Sequence, residues 1–283
     1  MRIHRSTLAL LLLVATSLAA QETRDSTRGV DAARLSLVGG VTVGAFVYGH
    51  AIQNDLWWKG ERSAFHFEWD RDWRYSLGAD KLGHAWFPYI AAHSYDHLLR
   101  WSGLDSSTAI WTAASLALGY QTYVEVRDGF SKQWGFSWGD FAADALGAGL
   151  PVAQRYLPEL RVVELKMSFF PTEEFRSGGN RAIIDDYEST YHWLTLHVTQ
   201  VLPASWRQGY PSFVDLALGH RVRDLDGAGG GTHELYLALD WNLDELPGDW
   251  WGWNLLRHAI RHYHLPAPSL RLWPGPVTVG IGF

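Results

Sequence analysis

Between residues 80 and 144 the chain sets Asp80, Lys81, His84, Glu125, Asp128, Asp140 and Asp144 into otherwise apolar helical patterns. Asp80 and His84 are four apart, Glu125 follows Gln121 by four with Asp128 three further on, and Asp140 and Asp144 are four apart. Each set therefore falls on one helix face. Imidazole nitrogen and carboxylate oxygen suit a divalent cation, which makes His84, Glu125, Asp128 and Asp140 candidate metal ligands, with Asp144 as a base and Lys81 as a second candidate catalytic group. A metal-free acid/base pair is a second chemistry, using a carboxyl of raised pKa beside His84. A purely structural network is the third. In it Asp80 caps one helix, Ser137 and Asp140 form a capping box at another, and Lys81 and His84 neutralise the acids. Glu125 and Asp128 at a helix C-terminus are disfavoured by a few tenths to about 1 kcal/mol each, and Lys81 at an N-terminus is equally misplaced. Pairing Lys81 with either acid would relieve both. Ser131 and Ser137 lack a nucleophile-elbow motif, which argues against a serine hydrolase.

The elements that must carry these residues are three helices, roughly Lys81 to Trp101, Thr108 to Arg127 and Trp138 to Tyr156. Short connections make them antiparallel neighbours, so the first start, the second end and the third start should meet. Before them, Leu35 to Ile52 is uncharged and carries Gly39, Gly40, Gly44, Ala45 and Gly49, which predicts a helix that packs closely on a neighbour or contacts a membrane. Trp57 to Tyr75 is aromatic and charged, and reads as an irregular segment over a surface. After Pro158 the period changes to two: Val163, Leu165, Met167 and Phe169, then Leu194 to Val198, Val214 to Leu218 and Leu235 to Trp241 alternate with polar or small residues. Residues 224–232 join two of these strands as a hairpin rather than a calcium loop. A short helix should cover Trp253 to Tyr263, with His258 and His262 as ordinary surface histidines. The last segment, Val277 to Phe283, alternates and ends on an aromatic, as final strands of outer-membrane barrels do. About six strands fall short of the roughly eight of a closed membrane barrel, so a sheet or partial barrel with its apolar face resting on the helices is expected.

Residues 1–20 combine Arg2 and Arg5, an apolar run from Leu8 to Val14 and small residues at Ala19 and Ala20, the pattern of a secretory signal peptide. Against 30 acidic side chains stand 24 basic ones, and two of those leave with the signal peptide, so nucleic acid is excluded as a natural partner. An exported chain without cysteine is held by packing alone. Its 16 Trp point either to a membrane-water interface or to aromatic cores.

DKLGH with Tyr89, YQTYVEVRDGFS and GFSWGDFAADALGA together resemble the YfiM-like family of predicted periplasmic lipoproteins, domain of unknown function 2279. The likeness runs on through LKMSFFPT, IIDDYEST, DWNLDEL and LPAPSLRL. The resemblance implies a bacterial envelope protein. The chain has no lipobox cysteine, and Asp144 stands where the family is expected to show Asn. Residues 80–149 also resemble, more distantly, the VanZ-like membrane proteins, which implies membrane proximity.

The resulting expectation is an α+β protein: a signal peptide over 1–20, a helical region of about four helices over 21–158 with the acidic-histidine cluster, and an antiparallel β region of about six strands over 159–283. It would work in the periplasm or outer membrane of a Gram-negative bacterium, touching membrane or envelope lipid, in a structural or ligand-binding role. The alternative is a metal-dependent enzyme acting on an envelope lipid or glycan.

Overall fold

A computed structural model describes residues 29–178 and 182–283; the signal-peptide reading falls outside these residues. The chain is mixed helix and sheet and divides into two compact units. The first takes the described part of Met1–Trp69, Phe87–Arg155 and Gly248–Ala259; the second takes Asp70–Trp86, Tyr156–Pro247 and Ile260–Phe283.

The first unit is helical. Helix α1, Ala32–Leu56, starts at Asp31, whose carboxylate accepts the N–H groups of Ala33 and Arg34. Such a cap satisfies donors that have no partner inside the helix. Of its apolar residues only Val38 is buried, while Leu37, Val43, Phe46 and Val47 are exposed. The expected close packing through small residues holds only at Gly49, where an added Cβ would strike the Tyr120 hydroxyl. At Gly39, Gly40 and Gly44 it would meet nothing within 4 Å. Two residues of the irregular 57–75 stretch pair as strand β1, Phe67–Glu68, with β2, Phe136–Ser137. Helix α2, Ala79–Trp101, begins in the second unit and continues into the first. Helix α3 is Ser106–Gly129, capped by Asp105, and α4 is Trp138–Tyr156. Their apolar faces meet in small cores: Val38, Leu98, Leu99, Ala109 and Ala113 in one, and Ala92, Ala117 and Ala148 in another. Alanines on three helices let the backbones approach closely, so this unit is packed tightly with little side-chain volume.

The second unit is a six-stranded antiparallel sheet in sequential order, not closed into a barrel. Its strands are β3 Val163–Phe169, β4 Thr190–Leu196, β5 Val214–Arg223, β6 Thr232–Trp241, β7 Ala267–Trp273 and β8 Thr278–Gly282. Short helices α5 Glu173–Ser177, α6 Val198–Val201 and α7 Ala204–Arg207 lie in its connections, and α8, Trp251–Ile260, precedes β7. The outer edge of β3 is met by residues 262–264, through Met167 N–H to His262 O at 3.1 Å and His264 N–H to Met167 O at 3.0 Å. At its far end Phe283 stacks on Phe170 with ring centroids 4.2 Å apart, and its carbonyl accepts the Ser168 hydroxyl.

The sheet's alternation runs against the expectation of an apolar inner face: many of its charged and hydroxyl-bearing positions are buried, while several of its leucines are exposed. Buried polar positions are Glu164, Lys166 and Ser168 on β3, Thr195 on β4, Asp215 and Arg221 on β5, Glu234 and Asp240 on β6, and Ser269 on β7, and the same face buries a small core of Tyr191, Trp193, Ala217 and Ala238. Register carries an unbroken aliphatic row over the opposite face, Leu165, Leu194, Leu218, Leu237, Leu270 and Val279, one residue per strand. Leu218 is 50% exposed and Val279 84%, whereas Asp215 and Asp240 are at 0%. A sheet in water alternates the other way, apolar in and polar out. Buried polar groups are stable when paired, as Lys166, Thr195, Asp215, Arg221 and Asp240 are here.

Candidate functional site

The residues singled out in the sequence fall on both units. In the first, Glu125, Asp140 and Asp144 are buried, at 1%, 8% and 0% exposure. Helix α4 starts as expected: the Ser137 hydroxyl accepts the Asp140 N–H at 2.8 Å. The reciprocal half of the box comes from another helix, because Glu125 accepts the Ser137 N–H through Oε2 at 3.0 Å. The carboxylate that looked misplaced at the end of α3 thus serves the N-terminus of α4, where negative charge is favoured. One turn along each helix, Gln121 donates to Asp144 Oδ1 at 2.7 Å. Asp128 accepts the indole N–H of Trp58 at 2.6 Å, a partner from an aromatic segment without periodicity, so sequence spacing could not reveal it.

In the second unit Asp80 is not the N-cap expected of it. Ser76, Leu77 and Gly78 enter in the left-handed region, with φ of 47°, 54° and 75°, and the helix begins at Ala79. Asp80 sits inside the first turn, where its carboxylate accepts the Tyr187 hydroxyl at 2.6 Å. Lys81, buried at 6%, pairs with Asp72 at 2.8 Å and Asp80 at 3.5 Å. Asp72, which sequence reasoning passed over, answers the poor placement of Lys81 at a helix start. His84 Nε2 lies 3.9 Å from Asp80. Acidic and histidine groups of the kind that hold a cation are therefore present: Asp80 and His84 in the second unit, Glu125, Asp140 and Asp144 in the first.

The sheet interior is a polar constellation that the sequence reading missed. Lys166 pairs with Asp240 at 2.7 Å; Asp240 also accepts Thr195 Oγ1 at 2.7 Å and faces His264 Nδ1 at 3.0 Å. Glu164 lies 2.9 Å from His262 Nδ1. Burial alone would raise the Glu164 pKa, but His262, Lys166 and Arg261 around it hold it well below the usual carboxylate range. Asp240 is lowered against burial in the same way by His264 and Lys166. Burial works against the imidazolium of His197, yet its 2.6 Å contact with Asp215 raises its pKa. His262 is consequently no surface residue: helix α8 ends at Ile260 and the chain turns His262 against β3, while His258 stays on the helix beside His97. The signal available in the sequence was the charge at alternate strand positions, Glu164, Lys166, Asp215, Glu234 and Asp240.

Residues 68–155 match the model of a family described as "Predicted periplasmic lipoprotein (DUF2279)". The match covers DKLGH through GFSWGDFAADALGA and stops before the six-stranded sheet. No curated protein gives a significant match, and neither does any solved structure. The family's description and the apolar helix α1 fit an exported envelope protein.

Proposed function

We propose that this chain is a structural or ligand-binding protein of the outer membrane, with the aliphatic face of its sheet seated in hydrocarbon. The observation that carries this reading is the inverted sheet: charged and hydrogen-bonding side chains are buried around a small aromatic and alanine core on one face, and the aliphatic row across the six strands on the other is exposed at Leu194, Leu218, Leu237 and Val279 and half-buried at Leu165 and Leu270. That alternation characterises outer-membrane β-structure. Strands β5 and β6 have 10 residues each, the length of a membrane strand. Exposed aromatics stand at both ends of the strands, Trp73 and Trp273 at one and Trp206 at the other, as in an interfacial girdle. An open backbone edge is costly in lipid. The β3 edge is met by residues 262–264, so only the β8 edge has to stay at the interface or be covered. Fractionation tests the reading. The mature protein should sediment with outer membranes and stay there through a high-salt wash, whereas recovery in the soluble periplasm refutes it.

A second reading is a metal-dependent enzyme acting on an envelope lipid or glycan, favoured by the three carboxylates buried in the helical unit, Glu125, Asp140 and Asp144. Elemental analysis of wild type, Glu125→Gln and Asp140→Asn decides it: stoichiometric divalent metal lost in both variants supports the enzyme, and a metal-free, normally folded wild type removes it.

A further inference from the structure

A small cavity opens at the end of the sheet where β5 turns into β6. Its volume is about 70 Å³, and it is lined by Arg71, Arg74, Tyr75 and Ser76 on one side and by the glycine loop 227–230 on the other. A single water needs roughly 10–15 Å³ measured in this way, so the space admits a small polyatomic group. We infer that this cavity binds a phosphate group, carried on the headgroup of a membrane lipid; the lipid source rests on the membrane reading above.

The charge is right. No ion pair joins Arg74 to a carboxylate among the described residues, and Arg71 gives the same wall a second guanidinium. Guanidinium suits phosphate because its planar fork can donate two parallel hydrogen bonds. Asp80 and Asp185 place negative charge near Tyr75, but three other nearby acids are committed elsewhere. Asp226 is folded into its own loop, where Oδ1 accepts the N–H groups of Ala228 and Gly230 at 2.8 Å each; those bonds hold its pKa below the usual range, and it does not line the cavity. Glu188 accepts the Leu225 N–H at 2.7 Å, and Asp72 pairs with Lys81. The walls are built to approach closely. Gly229 has φ +99°, and a Cβ there would stand 3.0 Å from the Arg74 Cβ. Beside the arginines Trp73 is 70% exposed, with the Lys81 ammonium 5.9 Å from its ring centroid. Tryptophan and cationic side chains together at the end of an apolar face mark the depth where lipid phosphates lie.

The test uses the full mature chain in flotation assays with vesicles of phosphatidylcholine alone, or with added phosphatidic acid, a phosphomonoester. Wild type should bind the phosphatidic acid vesicles about tenfold more tightly. Arg71→Gln and Arg74→Gln should each lose most of that preference while keeping wild-type circular dichroism and binding to phosphatidylcholine. Arg207→Ala, which removes an arginine at the opposite end of the strands, should keep it. A preference untouched by the Gln variants, or lost equally in Arg207→Ala, overturns the site. Binding to phosphatidylcholine without any preference also overturns it while leaving the membrane reading intact. Failure to bind either vesicle defeats the membrane reading and the lipid source with it. Isothermal titration with inorganic phosphate then shows whether the arginines hold a free anion instead.

Discussion

Glu125 changes meaning once its neighbour is known. By position it is a carboxylate at the wrong end of a helix; by contact it is the acceptor for the Ser137 N–H at the start of the next helix. Ser137→Ala should cost about 1 kcal/mol in a denaturation series, the ordinary value of an N-cap, and a loss near zero would mean that Glu125 carries the cap alone. Spacing located Asp140 and Asp144 but could not locate Asp72, Tyr187 or Trp58, because those partners come from segments without a period. The buried Lys166 and Asp240 give a sharper test. Lys166→Met leaves Asp240 charged in the sheet interior and should destabilise by roughly 3–5 kcal/mol, read by chemical denaturation; a loss under about 1 kcal/mol would show that water reaches the pair. The histidines set a pH response. Burial first, then His220, brings His192 down to about 3, with Asp80 acting in opposition; burial and His233 bring His220 down to about 4. Both stay neutral in the fold and take a proton on unfolding, so their contribution is full above the ordinary value of 6.5 and is lost as pH falls toward the folded values. His197 has the opposite sign, contributing below 6.5 and fading above it. Stability should therefore fall between about pH 6.5 and 4, and His192→Gln should flatten the fall. An unchanged slope in that variant would assign the effect to other groups.

At the scale of elements the helices were legible to within a few residues because their apolar runs are long and their ends carry recognisable signals. Trp138–Tyr156 matches its expected bounds at both ends, while the helices capped by Asp31 and Asp105 start three and two residues before the expected Leu35 and Thr108. The strands were equally legible as strands, since period two survives in every context. Which face lies inside was not legible. Alternation of Leu216 and Leu218 with Asp215 and Ala217 reads the same whether leucine or aspartate is buried, and only the solvent can tell the two apart. Substitution can ask the solvent directly. Leu237→Arg on a face seated in lipid should destabilise the membrane-inserted protein by about 2–4 kcal/mol, while on a water-facing strand the same change falls within about 0.5 kcal/mol. Unfolding in vesicles by urea separates these values.

For the whole molecule, composition had left the 16 Trp divided between an interface and a core. Trp58 and Trp193 are buried, while Trp69, Trp73, Trp111, Trp138, Trp206, Trp250 and Trp273 are all exposed, a distribution that favours the interface. Helix α1 adds an exposed apolar surface in its own unit, and among the described residues it is the helix long and apolar enough to cross a membrane. The absence of cysteine makes the decisive measurement simple, because single cysteines can be introduced and spin-labelled without background. Labels at Leu218, Leu237 and Val279, with Ala238 on the buried face as control, should be compared in vesicles for collision with oxygen, which partitions into lipid, and with a water-soluble nickel chelate. The three outward labels should collide mainly with oxygen and the Ala238 label with neither. Outward labels that collide mainly with the nickel chelate would contradict it.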